Sequence, residues 1–64
     1  MPEVIVYMVQ GRSLDQKRGL VQDITNAVVK NCAVPKDVVT VQIIEAPKTD
    51  KAKGGVLFSE MGTR

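Results

Sequence analysis

EVIVYMVQGRSLDQKRGLVQDITNAVVK, residues Glu3 to Lys30, carries two hydrophobic periods in succession, and the change from one to the other decides the fold. Val4 to Val9 is an unbroken run of β-branched and other apolar residues. Such a run predicts a strand. Without strict alternation, it predicts a strand covered on both faces, as in a parallel sheet. Gln10, Gly11 and Arg12 form the exit turn, with Gly11 supplying the backbone freedom. Ser13 then reads as a helix N-cap, and Gln16 three residues on completes a capping box. Asp15 places a negative charge at the positive end of the helix. Leu20, Val21, Ile24, Ala27 and Val28, with Leu14 before them, recur at helical spacing and predict one buried stripe. The helix should fade at Asn31 or Cys32. Gly19 weakens it by about 1 kcal/mol relative to alanine.

Further along, Pro35 opens a short turn. Val38 to Glu45 predicts a second strand, with Val39, Val41 and Ile43 on one face and Thr40, Gln42 and Ile44 on the other. Ala46-Pro47 ends it. Lys48 to Lys53 is a charged loop, Gly54-Gly55 a turn, and Val56 to Phe58 a short strand or hairpin arm, followed by a polar tail from Ser59 to Arg64. The segment between the two main strands is long enough for a crossover, so they should run parallel. The fold class is therefore α/β (in the small α+β sense): a β-α-β unit with parallel strands, one domain over residues 1–64. Two strands and one helix leave a sheet face bare, so a partner subunit must cover it.

Size and composition agree. A chain of 64 residues buries little of its own surface, and small domains usually add disulfides, a metal or a partner. Cys32 is the single cysteine and there is no histidine, so neither an internal disulfide nor a Cys/His metal site is expected. Cys32 reads as a small buried or half-buried apolar residue. Oligomerisation remains. The net charge of +2 is too mild to argue for nucleic acid. Tyr7 and Phe58 alone give no stacking platform for bases. No apolar run has the length of a membrane span. Met1-Pro2-Glu3 lacks the basic start of a secretory signal, which makes the cytoplasm the expected compartment.

Pro2 stands directly behind the initiator methionine. Its small side chain suits removal of Met1, which would expose a secondary amine. An α-amine titrates near ~8 when unperturbed. With no histidine and one cysteine, few other groups in this chain could act as a base near neutral pH. Pro2 by itself also reads as a stiff residue before a strand, and Arg12 by itself as a solvated turn residue.

The Met-Pro start, the strand, Gly11-Arg12-Ser13, Asp15-Gln16-Lys17 with its amphipathic helix, Pro35, the strand Val39 to Glu45 and Gly54-Gly55 follow one another over nearly the whole chain. In that order and spacing they resemble the 4-oxalocrotonate tautomerase family. The resemblance implies short β-α-β subunits that pair their sheets into four-stranded layers. Three such dimers assemble into a homohexamer, with active sites at subunit boundaries. It implies a cofactor-independent isomerase that moves a proton in an unsaturated 2-oxo or 2-hydroxy acid, from enol to ketone. Pro2 matches the general base and Arg12 the carboxylate-gripping arginine, while Val9 and Met8 offer an apolar wall.

Two positions depart from the pattern. Thr40 stands where members nearest the founding enzyme carry a second arginine, and Lys51 where they carry a loop aromatic. The charged loop reads first as a plain solvated face. The alternative is that Lys51, with Lys48 or Lys53 as substitutes, supplies part of the lost positive charge. Relatives that hydrate or dehalogenate unsaturated acids use an extra carboxylate. Asp50 lies in the loop, but the matched position is Lys53, which ranks that chemistry lower. The alternatives to a homo-oligomeric enzyme are a subunit of a hetero-oligomeric tautomerase and a non-catalytic scaffold of the same fold.

Overall fold

Strands β1 (Glu3–Val9) and β2 (Thr40–Ala46) pair in parallel, in register from Glu3 opposite Thr40 to Val9 opposite Ala46. The computed structural model describes residues 2–62. Helix α1 (Leu14–Cys32) connects the two strands, and a second, antiparallel pair, β3 (Ala52–Lys53) and β4 (Val56–Leu57), follows. Single 3₁₀ turns occupy Lys36–Val38, Lys48–Asp50 and Phe58–Glu60.

β1 is not covered on both faces within the chain. Val4, Val6 and Met8 are half-buried, whereas Ile5 and Tyr7 are 45% and 70% exposed. β2 repeats the pattern, with Val41, Ile43 and Glu45 half-buried and Thr40, Gln42 and Ile44 exposed. One sheet face lies under α1 and the other is open. A strand that is apolar on both faces but covered on one takes its second cover from outside the chain.

The helix begins as its sequence directs. The Gln16 N–H donates to the Ser13 hydroxyl oxygen at 3.1 Å, and the Ser13 N–H donates to the Gln16 side-chain oxygen at 2.9 Å. This capping box satisfies two donors that the first turn leaves without partners. The helix ends at Cys32, and Ala33 takes a left-handed φ of 56°. Leu20, Val21, Ile24 and Val28 form the covered stripe, but Leu14 and Ala27 fall outside it, Leu14 at 67% exposure. Lys17 takes up the packed position near the N-terminus instead, reaching Glu45 of β2 at 2.8 Å. Cys32 is exposed, not buried.

β2 starts two residues later than its apolar pattern predicts. Pro35 caps a 3₁₀ turn in which the Val38 and Val39 N–H groups donate to Pro35 and Lys36 carbonyls, so Val38 is used before the ladder begins. In the hairpin, Gly54 and Gly55 have φ of 60° and 82°. Positive φ at both central residues is what a tight two-residue hairpin turn of right-handed strands requires.

No described residue is fully buried. The surface is 5034 Å², against about 4,000 Å² for a compact monomer of this mass. The radius of gyration is 15.0 Å, where a compact chain of this length has about 11 Å. The chain has the architecture of a subunit, with the sheet completed by a partner.

Candidate active site

At the C-terminal ends of the two parallel strands the chain turns twice, and these two turns build the main cleft. The Gln10 N–H donates to the Ala46 carbonyl at 2.9 Å, extending the β1–β2 ladder by one step and fixing the start of the first loop. Gly11 follows with φ of 131°, a conformation that disfavours any side chain, and aims the chain toward α1. Arg12 sits between this glycine and the Ser13 cap, exposed. The second turn begins at Pro47, whose carbonyl accepts from the Asp50 N–H at 2.9 Å, and Lys48 is its first residue.

Between the turns lies an open cavity of about 480 Å³, lined by Gln10, Gly11, Arg12, Lys17, Glu45 and Lys48. An adjoining cavity of about 520 Å³ shares Arg12 and Lys48 and adds Met8, Val9 and Phe58. The Lys17 ammonium is neutralised by Glu45 at 2.8 Å. Among the described residues, neither Arg12 nor Lys48 has a carboxylate partner. The cleft therefore joins two uncompensated cations to an apolar wall. It suits an organic acid. Among the described residues no group of three metal-ligating side chains is gathered, and no helix is long and apolar enough to cross a membrane.

Of the residues singled out from sequence, Arg12 and Val9 share this cleft with Met8 and Lys48. Lys51 lies beside it, half-buried. Its carbonyl accepts the Phe58 N–H at 2.8 Å, and its ammonium stands 6.0 Å from the centre of the Phe58 ring. Lys53 and Asp50 are exposed, Asp50 accepting from the Thr49 hydroxyl at 3.0 Å.

Pro2 and Thr40 are elsewhere. The Pro2 carbonyl accepts the Thr40 N–H at 3.1 Å, which puts both at the opposite end of the sheet. Pro2 precedes β1 and Arg12 lies beyond its last residue, Val9, so the full strand runs between them, a span of more than about 20 Å at the usual strand rise. Within one chain Pro2 and Arg12 do not meet. Met1, whose removal would free the Pro2 nitrogen, lies outside the described residues.

Phe58 is the site residue that sequence reasoning missed. The signal was present: a two-residue Gly54-Gly55 turn sets Lys53 opposite Val56 and Ala52 opposite Leu57. The next step of that register faces Lys51 with Phe58. The loop thus gains an aromatic neighbour from beyond the turn.

A parallel β-α-β subunit with one open sheet face, a proline leading the first strand and a cationic cleft at the far strand ends defines a class of small oligomeric enzymes. The family described as Tautomerase enzyme matches residues 2–61, and the chain belongs to it. It is 52% identical over 60 residues to the probable tautomerase of Bradyrhizobium diazoefficiens, covering 94% of this chain and 90% of that protein. To the 2-hydroxymuconate tautomerase of Comamonas testosteroni it is 36% identical over 62 residues, covering 97% and 98%. A heterohexamer 4-oxalocrotonate tautomerase from Chloroflexus aurantiacus superposes with a TM-score of 0.90 at 31% identity, over 97% of this chain and 100% of that one. The general activity is that of a tautomerase-family isomerase.

Proposed function

We propose that this protein ketonises an unsaturated 2-hydroxy acid without metal or cofactor, in a site assembled between subunits. The observation that carries the reading is the placement of Pro2 and Arg12 at opposite ends of β1, on a chain whose sheet face is open. Residues more than about 20 Å apart can act on one small acid only if they come from different copies. The 2-hydroxymuconate tautomerase of Comamonas testosteroni supports the substrate class.

Once Met1 is removed, the Pro2 nitrogen is a secondary amine with a free lone pair. The neutral amine takes the enol O–H proton, and the electron pair left on oxygen forms the ketone. The conjugated double bond shifts, and the proton returns from nitrogen to carbon, so the net reaction is an isomerisation. For this the amine must be uncharged when substrate arrives. A cation and apolar surface around it, brought by the neighbouring subunit's cleft, disfavour the protonated form. Arg12 holds a carboxylate through two parallel charge-assisted hydrogen bonds. Met8, Val9 and Phe58 exclude water on one side. Thr40 offers a neutral hydrogen bond where closer relatives of the founding enzyme carry a cation. The expected substrate or rate therefore differs from that enzyme's.

The assembly proposed is a cytoplasmic homohexamer, a trimer of dimers. Thr40 favours one second reading, a hetero-oligomer in which a partner chain supplies the missing cation. A similar chain, the 4-oxalocrotonate tautomerase of Chloroflexus aurantiacus, belongs to a heterohexamer. The test is ketonisation of 2-hydroxymuconate and of phenylenolpyruvate by protein whose intact mass confirms the loss of Met1. Pro2→Ala should lower kcat/KM by at least about 100-fold. A variant as active as the parent removes Pro2 from the mechanism. Parent protein that is inactive alone and gains activity with a second family chain favours the hetero-oligomer.

A further inference from the structure

We propose that Lys48 is the second arm of the carboxylate clamp, acting with Arg12, and that it sets the preference of the site for acids with a free carboxylate at the end of an apolar chain. The proposal deepens the reading above and takes from it the carboxylate at Arg12. It rests on which cations of the cleft are still available to a ligand.

Four cations lie in or beside the cleft. Lys17 is held by Glu45 at 2.8 Å, and Lys51 lies over the Phe58 ring at 6.0 Å. Arg12 and Lys48 remain, each lining both adjoining cavities and each without a carboxylate partner among the described residues. Two like charges facing one cavity repel, and a shared anion relieves that repulsion. Their chemistries are complementary. The guanidinium fork takes both oxygens of a carboxylate, and an ammonium adds a point charge from another direction.

Both positions are fixed at the backbone while their side chains are left free. Arg12 is clamped between the Gln10–Ala46 hydrogen bond and the Ser13 capping box. Lys48 is the first residue of a turn closed by the Asp50–Pro47 hydrogen bond. The lining then selects the kind of anion. Met8, Val9 and Phe58 flank the two cations on one side, which suits hydrocarbon attached to the carboxylate. On the other side Lys17 and Glu45 are spent on each other and offer no further cation to an anion. The clamp therefore takes one carboxylate per chain.

The experiment is calorimetric titration of the assembled protein with adipate, a saturated dicarboxylate that cannot tautomerise. It is run on the parent, Lys48→Ala, Lys48→Arg, Arg12→Ala and Pro2→Ala. Lys48→Ala should weaken adipate binding roughly tenfold, and Lys48→Arg should stay within about threefold of the parent. The neutral adipamide should not bind measurably. With 2-hydroxymuconate, Lys48→Ala should raise KM by a similar factor and change kcat less than about twofold. Adipate binding to Lys48→Ala at the parent's affinity overturns the proposal, as does adipamide binding as tightly as adipate. Pro2→Ala separates the two readings. If it turns over like the parent while adipate responds to Lys48 as stated, the clamp stands and the proline mechanism falls.

Discussion

Ala33 holds a φ of 56° at the end of α1, with its N–H donating to the Val29 carbonyl at 3.1 Å. That hydrogen bond closes the helix, but the left-handed conformation crowds an alanine Cβ in a way that glycine avoids. Ala33→Gly should stabilise the protein by about 1 kcal/mol. Urea unfolding at one fixed protein concentration checks this, and a loss of stability would mean that Ala33 makes contacts in the assembly that the single chain lacks. The same scale governs the site. Along the sequence Lys51 is loop charge and Phe58 the end of a hairpin arm. What joins them is a register step, and a turn with two glycines states that step in the sequence itself. Lys48 offers no comparable signal, because its distinction from Lys51 and Lys53 is that it lines the cleft together with Arg12.

At the scale of elements, the ion pair between Lys17 on α1 and Glu45 on β2 ties the helix N-terminus to the sheet edge beside the cleft. Both side chains are more than two-thirds shielded, at 28% and 23% exposure, so the pair is worth more than a surface bridge. A double-mutant cycle with Lys17→Met and Glu45→Gln should give a coupling energy of about 1 kcal/mol. A cycle that sums to zero would make the contact incidental. The Gln10–Ala46 hydrogen bond holds one end of the Arg12 loop to β2, and the capping box with this pair holds the other end to α1 and, through α1, to β2. The helical period predicted the stripe at Leu20, Val21, Ile24 and Val28 but misplaced Leu14. Leu14 in the first turn stays 67% exposed, while Lys17 three residues on reaches Glu45 of β2.

The molecule as a whole does not enclose a core. Ile5, Tyr7 and Ile44 lie exposed on one sheet face, and the described residues include none that is fully buried. Unpartnered apolar surface of this kind marks an interface. The protein in solution should have a mass several times 7.0 kDa. Ile5→Lys with Tyr7→Lys should dissociate and unfold it, since burying two uncompensated charges in that interface costs several kcal/mol. Light scattering coupled to size exclusion, with circular dichroism of the variant, reads both effects. A variant that stays folded at the parent's mass would place the interface elsewhere.

The amino-acid sequence by itself determined the β-α-β order, the parallel pairing, the capped helix, the glycine hairpin and the need for a partner. These follow from local hydrophobic period, turn chemistry and chain length, all of which are written along one dimension. Tertiary structure alone decided which residues of β1 are covered, that Lys17 is spent on Glu45, and that Lys48 shares a cleft with Arg12 while neither has a carboxylate partner among the described residues. Each of these depends on which side chains meet across distant segments. Charge compensation and spatial separation are properties of pairs, and a periodic pattern carries no record of them.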